Sequence, residues 1–294
     1  MSQDRPLSER LRDHVEHLAT TIGPRSFRVP GSIERTIEYI EGAWKSLGYE
    51  VQREFYDALG DQATNLIVEW PGMSKSDEII LLGAHYDTVT TTPGADDNGS
   101  AVAVLLEVSR LLKGFQTSRT IRFVAFACEE PPYFNMGAMG SEYHARQCKA
   151  RGDDIKAMLC LEMVGFFSDV PKSQTVPDQI PAVLRRFFPS RGNFLAAVGN
   201  LASAKLVWSF RRGFKRGTRL SLFSIPFPES IAEISLSDNR SFWSQGYPAL
   251  MLTDTSFLRN PHYHRATDLP ETLDYERMGQ VALGVEAAMR YLAR

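Results

Sequence analysis

The chain has 294 residues, of which 43% are hydrophobic and 23% charged, so it is long enough to bury a large core. Its formal net charge of -2 gives no electrostatic reason to expect nucleic acid or an acidic membrane as a partner. The composition therefore argues against both classes of partner and favours a globular protein that acts on a small molecule.

The amino-terminal stretch MSQDRPLSERLRDHVEHL is polar and charged from its third residue, so it lacks the basic-then-apolar pattern of a secretory signal. No later window has the ~18 consecutive apolar residues of a transmembrane helix. We therefore expect a cytoplasmic protein. Three cysteines without CxxC spacing predict neither a disulfide framework nor a thiolate zinc site.

Two amphipathic helices are predicted at the start of the chain, from Leu7 to Thr21 and from Ser32 to Leu47. Strand-like runs follow at 50–56, 64–69 and 78–84. The last of these is apolar on successive residues (IILLGA), which is typical of a central strand covered on both faces.

The alternation of strands and helices continues after a glycine-rich loop. The segment from Ser100 to Lys113 has one apolar stripe and predicts a helix, and TIRFVAFAC (120–128) predicts a second buried strand. The later elements are a helix at 138–150, strands at 157–164 and 248–253, and a closing helix at 274–293 with Asp274 as its N-cap. We therefore predict one α/β domain over residues 1–294 with a mixed, mostly parallel sheet.

The alternation of predicted strands and helices is less regular between residues 166 and 235, where Pro, Phe and Arg are frequent. A strand at 193–198 and a helix at 201–213 are predicted inside this segment. A stretch of this length beside a catalytic sheet more often forms a lid or rim than a separate module, so we expect a lid or rim insertion around 166–235 and no domain boundary.

Polar residues stand at the ends of the predicted buried strands. His85 and Asp87 close one strand, Glu129 and Glu130 close the next, and Glu162 lies near the end of a third. In parallel α/β sheets the ligand crevice lies outside these carboxyl ends, so the side chains should converge there. Residues two apart on a strand share a face, which lets the Asp87 carboxylate sit behind the His85 imidazole and orient it as a metal ligand.

The loop GADDNGS (94–100) lies immediately before a predicted helix and carries two further carboxylates. Helix capping explains such a loop without a metal, because Asp97, Asn98 and Ser100 are all good N-cap residues. A cap needs one acceptor, however, and this loop supplies three. One carboxylate is therefore left free to face the crevice.

The adjacent pair Glu129 and Glu130 ends an otherwise apolar strand, where two carboxylates repel each other unless a cation or a shared proton compensates. One of them can bind metal while the other stands beside a water molecule as a base, and a solvated strand end is the alternative. A further nitrogen ligand is expected from HxH within NPHYHRATD (260–268), for which an ordinary polar loop is the alternative.

Taken as a set and in this order, the motifs resemble the M28 family of zinc exopeptidases. The resemblance spans nearly the whole chain and rests on HYD (85–87), GADDNGS (94–100), FACEE (126–130), LEMVG (161–165), SDNRSFW (237–243) and NPHYHRATD (260–268). It implies the phosphorylase/hydrolase-like fold, which is a three-layer αβα sandwich around the mixed sheet.

The resemblance also implies a co-catalytic site with two Zn²⁺ ions. In that site Asp96 would bridge the two ions. His85 and Glu162 would complete the coordination of one ion, and Glu130 and His264 that of the other. Glu129 would be the general base, and a cis peptide bond would join Asp96 to Asp97. Asp238 and Asp268 are further candidates for supporting the site.

The function that the resemblance implies is hydrolysis of N-terminal residues from peptides or amino-acid amides by an aminopeptidase. The alternatives are a carboxypeptidase, a single-zinc glutaminyl cyclase-like acyltransferase, and a non-catalytic binding module on the same fold. The sequence departs from the family pattern at Asn239, where a histidine is usual, and at PPYFNMGAMGS (131–141), where relatives have a glycine-rich run. The second departure alters the expected wall of the substrate pocket near residues 131–134.

Overall fold

The computed structural model describes residues 5–294. Its strands are β1 (Gln52–Ala58), β2 (Asp61–Trp70), β3 (Lys75–His85), β4 (Arg119–Phe126), β5 (Asp154–Glu162), β6 (Phe194–Asn200), β7 (Ser221–Phe227) and β8 (Ala249–Thr253). Its helices are α1 (Leu7–Glu16), α2 (Ser32–Ser46), α3 (Ala101–Leu112), α4 (Gly140–Arg151), α5 (Ala182–Arg185), α6 (Ala204–Gly217), α7 (Asn239–Ser244) and α8 (Tyr275–Leu292). Each helix and strand predicted from the sequence is present, whereas α5, β7 and α7 were not predicted.

All eight strands join one mixed sheet in the order β1-β2-β4-β3-β5-β8-β6-β7. The central strands β4, β3, β5 and β8 are parallel, while β1, β2 and the β6–β8 pairing are antiparallel. Parallel strands end at one edge of the sheet, so His85 at the end of β3 and Glu162 at the end of β5 lie on the same side. The predicted convergence of strand ends is confirmed.

Two hydrophobic cores cover the two faces of the sheet. Alternation along β3 places Ile80 and Leu82 in the larger core, and Leu81 in the smaller one. Helices α1, α2, α3, α6 and α8 pack on the first face, and α4 and α7 lie on the second. This is the predicted three-layer αβα sandwich.

The segment 166–235, for which the sequence predicted a lid or rim, contributes two strands and a helix to the central fold. Strands β6 and β7 extend the central sheet, and α6 packs closely on α8. Gly213 and Gly217 permit this approach, because a side chain at either position would collide with the backbone of α8 at Ala288 or Leu283. The central part of the segment therefore belongs to the core of the fold.

In the described part of the chain, no helix combines the length and the apolar character needed to cross a bilayer. All three cysteines, Cys128, Cys148 and Cys160, are free and buried.

Helices α1, α2 and α3 are joined by a buried ionic network centred on Glu107. Arg10 donates to both carboxylate oxygens of Glu107 at 3.1 and 3.0 Å, and Arg110 donates to one of them at 2.7 Å. The His14 ring links Glu107 to the Tyr39 hydroxyl, which lies 2.7 Å from its Nδ1. The network connects the three helices through one almost fully buried carboxylate.

The contribution of Glu107 to the free energy of unfolding is expected to disappear in acid. Burial raises the pKa of Glu107, but hydrogen bonds from His14, Arg10 and Arg110 outweigh burial and lower it to about 2. Because this folded-state pKa lies below the usual 4.5, the stabilisation is complete above about pH 4.5 and is lost as the pH falls through 2. The free energy of unfolding, measured with urea, should be roughly 3 kcal/mol lower in Glu107→Gln than in wild type at neutral pH. This difference should shrink towards pH 2. A difference that does not change with pH would contradict this prediction.

Candidate metal centre

Three buried side chains form a first potential ligand group at the carboxyl edge of the sheet. His85 Nε2 lies 3.3 Å from Glu162 Oε2 and 3.7 Å from Asp97 Oδ1. One ligand atom from each of the three residues lies within 4.8 Å of the other two. An imidazole nitrogen and two carboxylates at this spacing are a donor set that zinc prefers.

A second group lies beside the first and shares Asp97 with it. His264 Nε2 lies 3.1 Å from Asp97 Oδ2 and 3.3 Å from Glu130 Oε1. Asp97 thus turns one oxygen towards each group. The His264 side chain is 30% exposed, so this group opens to the surface of the crevice.

The structure corrects the expected position of the shared carboxylate, because Asp96 belongs to neither group. One Asp96 oxygen accepts a hydrogen bond from Gly165 N at 2.9 Å, and the other accepts from Asn260 Nδ2 at 2.7 Å. Asp97 occupies the shared position instead. The cis peptide bond likewise lies one residue later than expected, between Asp97 and Asn98.

Asp87 positions the glutamate pair as well as His85. Its two carboxylate oxygens accept hydrogen bonds from the backbone amides of Glu129 and Glu130, both at 3.0 Å. Asp87 Oδ1 also lies 3.4 Å from His85 Nδ1, behind the ring as expected. Cys128, directly before the pair, has a left-handed φ of 58°, which turns the chain out of β4. One carboxylate therefore ties together the ends of β3 and β4.

Several polar residues that sequence reasoning had treated only as candidates, or had missed, also hold the site. Asp268 accepts hydrogen bonds from the amides of Asp96 and Asp97 at 2.9 and 3.1 Å. Ser237 donates to Glu162 Oε2 at 2.6 Å and orients that carboxylate. Asp238 is fully buried near the site, and burial raises its pKa to about 7 although His85 opposes the shift. Ser237 is the one of these three that sequence reasoning missed, because a serine by itself carries no signal for such a role.

Glu129 stands next to the two groups without belonging to either. Its Oε2 lies 3.9 Å from His85 Nε2. Burial raises the pKa of Glu129 well above its usual value, His85 opposes the shift, and Glu162 and Glu130 add to it. Its position allows it to contact a small molecule bound between the groups rather than to serve as a ligand.

The electrostatics of the site fit bound cations. Burial and the neighbouring Asp97 carboxylate raise the pKa of Glu130 to about 7. Burial opposes protonation of His264, but Asp97 and Glu130 outweigh it and raise its pKa to about 10. Both His85 ring nitrogens, Asp97 Oδ2 and Glu130 Oε1 are buried without a hydrogen-bond partner. Nitrogen and oxygen atoms of this kind, buried without hydrogen bonds, are the ligands that a divalent cation would satisfy.

The remaining histidines take no part in the two groups. His262 Nδ1 pairs with Thr267 Oγ1 at 3.0 Å on the surface, and His14 belongs to the Glu107 network. His17 stacks on Tyr39. His144 is fully buried beside Phe126, and its Nδ1 lies 3.0 Å from Glu54 Oε2.

Comparisons with known proteins identify the family of the chain. A family model for peptidase family M28 matches residues 65–289. The chain is 35% identical over 285 residues to the uncharacterized protein YfbL of Escherichia coli K12, covering 94% of this chain and 86% of that protein. It is 29% identical over 238 residues to a probable leucine aminopeptidase of Trichophyton verrucosum, covering 75% of this chain and 55% of that protein. The chain therefore spans about half the length of this fungal relative.

Solved structures share the fold at low sequence identity. The zinc aminopeptidase BSAP of Bacillus subtilis is similar with a TM-score of 0.72 and 16% identity, over 97% of this chain and 95% of that one. A glutaminyl cyclase of Fimbriiglobus ruber is similar with a TM-score of 0.70 and 19% identity, over 99% of this chain and 97% of that one. The fold is thus common to enzymes of two different activities.

Proposed function

The chain belongs to peptidase family M28. We propose that it is a zinc aminopeptidase that releases apolar residues from the N-termini of peptides. The observation that carries the proposal is the pair of three-residue groups that share Asp97, with the Glu129 carboxylate beside them. In the proposed site, His85, Asp97 and Glu162 would hold one zinc ion, and Asp97, Glu130 and His264 would hold a second.

Glu129 is the general base and acid in the proposed reaction. Zinc, when bound, supplies Lewis acidity that polarises the scissile carbonyl and makes a water molecule more acidic. Glu129 takes a proton from this water as the water oxygen attacks the carbonyl carbon. Glu129 then returns the proton to the departing amine nitrogen as the C–N bond breaks, which leaves a free amino acid and a shortened peptide.

Asp87 and Asp268 act through the groups that they hold. Asp87 fixes the backbone of Glu129 relative to His85, so the base and the first metal group keep their separation. Asp268 holds the backbone amides at Asp96 and Asp97, which keeps the Asp97 carboxylate between the two groups. Both are positioning residues rather than catalytic residues.

The substrate side chain is proposed to enter an apolar cavity that begins at Glu162. The cavity has a volume of about 100 Å³ and is lined by Phe188, Phe194, Ala196, Val198, Phe227 and Met251. Tyr263, which stacks on His264, forms part of its wall on the side of the second metal group. Burial of aliphatic or aromatic carbon in such a cavity stabilises binding by about 0.8 kcal/mol for each methylene group. This favours leucine-like or phenylalanine-like N-terminal residues.

Filling the cavity is expected to change the substrate preference. In Ala196→Phe the new ring occupies space that the substrate side chain needs, so kcat/KM for leucyl and phenylalanyl arylamides should fall at least ~10-fold while alanyl arylamide is hydrolysed nearly as before. The matched control is Ala197→Val, because Ala197 on the same strand faces the opposite core. An unchanged ratio between large and small substrates in Ala196→Phe would place the substrate side chain elsewhere.

The function is tested by metal analysis together with a substrate panel. Purified protein should contain two zinc ions per chain and hydrolyse aminoacyl arylamides, and it should leave N-terminally blocked peptides intact. Release of carboxyl-terminal residues alone would identify a carboxypeptidase. One zinc ion per chain with cyclisation of N-terminal glutamine would identify a glutaminyl cyclase. Absence of metal binding would contradict every one of these enzymatic functions.

A further inference from the structure

Arg25 is a fully buried arginine that lies outside the residues matched by the family model. In the described part of the chain, no carboxylate oxygen lies within 4.0 Å of its guanidinium nitrogens. All of its side-chain hydrogen bonds go to backbone carbonyls. Burying an arginine without an ion pair costs free energy, and here the hydrogen bonds to backbone carbonyls offset that cost.

The guanidinium holds the segment that links His85 to Asp97. Nε donates to Tyr86 O at 2.8 Å, at the start of the segment. At its far end, Nη1 donates to Pro93 O at 2.8 Å and Nη2 donates to Gly94 O at 2.7 Å. Both ends of the segment are thus fixed to one rigid planar group.

The Arg25 backbone pairs with the middle of the same segment. Its amide donates to Thr88 Oγ1 at 2.9 Å, and its carbonyl accepts from Thr88 N at 2.9 Å. Residues 86–94 form no strand or helix, so their buried carbonyls lack the partners that a sheet would provide. A buried carbonyl without a partner costs about 1–3 kcal/mol, so the hydrogen bonds from Arg25 stabilise this conformation of the segment.

Arg25 and Asp268 act on opposite sides of the same turn. Arg25 binds the carbonyl of Gly94, and Asp268 binds the amides of Asp96 and Asp97. Gly94 has a left-handed φ of 65°, and a side chain there would collide with Thr88 and Arg25. The backbone before and at Asp97 is therefore held from both sides, which directs its carboxylate between the two ligand groups.

Arg25 also places a positive charge behind the acidic site. Burial lowers its pKa to about 10, with Asp268, Asp97 and Asp87 opposing the shift, so it stays charged at neutral pH. A lysine in its place would offer one ammonium group on a flexible stem, which does not match three carbonyls spread over two ends of a loop. The geometry of a planar guanidinium is therefore required in addition to its charge.

We infer that Arg25 is a positioning residue that sets the zinc affinity of the site by holding residues 86–97 in the conformation that aims Asp97 at both ligand groups. This inference rests on the proposed function, because it assumes that the two groups bind zinc. It assigns a role at the metal centre to a residue from the amino-terminal part of the chain.

The test is a zinc titration of metal-free wild type and Arg25→Lys against a chromophoric chelator. The dissociation constant for zinc should rise at least ~10-fold in Arg25→Lys, with the far-ultraviolet circular dichroism unchanged. The matched control is Arg122→Lys. Arg122 is also buried and makes several bonds, but its carboxylate partners Glu69 and Asp153 lie outside the site. The control should lose thermal stability and keep the wild-type zinc affinity.

A second variant covers the case in which Arg25→Lys does not fold. Thr88→Val removes the acceptor of the Arg25 amide and should weaken zinc binding at least ~3-fold. Wild-type zinc affinity in a folded Arg25→Lys, or in Thr88→Val if the lysine variant is unfolded, would overturn the inference and leave the proposed function intact. If wild type itself binds no zinc, the proposed function fails together with the inference.

Discussion

Replacing Glu129 by glutamine is expected to lower kcat at least ~100-fold while the protein keeps its zinc. Glutamine preserves the size of the side chain but accepts no proton from water, so the proton transfer is lost. The metal should remain, because Glu129 lies outside both ligand groups and its nearest approach to His85 Nε2 is 3.9 Å. Steady-state kinetics on a leucyl arylamide and metal analysis of the same sample measure the two quantities.

Glu130→Gln is the matched control, since it makes the same chemical change at the neighbouring residue. Glu130 Oε1 belongs to the second ligand group, so this variant should lose zinc as well as activity. Hydrolysis by Glu129→Gln at the wild-type rate would remove Glu129 from the mechanism. Loss of zinc from Glu129→Gln would instead make Glu129 a ligand.

The second large effect is expected at Asp97, because a change there should weaken both ligand groups together. Asp97→Asn weakens the ligand that the groups share, so the zinc content should fall from two ions to one or none per chain. Turnover should fall by about 1000-fold or more, because Asp97 would hold both ions of the proposed site, and these would supply the Lewis acidity. Metal analysis after dialysis and kinetics on the same substrate check the prediction.

Asp96→Asn provides the comparison for this variant and tests the correction that the structure makes. The Asp96 carboxylate accepts hydrogen bonds from Gly165 N and Asn260 Nδ2, and it lies outside the ligand groups. Asparagine there should keep the zinc and lose about 1–3 kcal/mol of stability, because the Asn260 amide loses its charged acceptor. If zinc is lost from Asp96→Asn and kept by Asp97→Asn, the assignment made from the sequence would stand.

Most of the sheet was predictable because its central strands are buried on both faces. Runs such as IILLGA (79–84) and TIRFVAFAC (120–128) have no polar face, and that pattern follows from their burial rather than from any particular partner. Strand β7 was missed for the opposite reason. It lies at the edge of the sheet, most of its residues are only half-buried, and it contains Pro226.

The identity of the shared carboxylate could not be read from the sequence. Asp96 and Asp97 are adjacent and chemically identical, so spacing along the chain does not distinguish them. Their directions are set by Asp268, Asn260 and Gly165, which approach from distant parts of the chain. Arg25 escaped notice in the same way, because nothing near it in the sequence marks a buried arginine.

The pattern of apolar runs was enough to predict the order of most helices and strands, and to predict that His85, Glu129, Glu130 and Glu162 lie together at one edge of the sheet. Strand direction alone brings these residues together, since parallel strands place their carboxyl ends on one side. Which oxygen of which aspartate faces the crevice could be learned from the folded chain alone. The orientation depends on hydrogen bonds between loops that are far apart in the chain. Such bonds produce no periodic pattern in the amino-acid sequence.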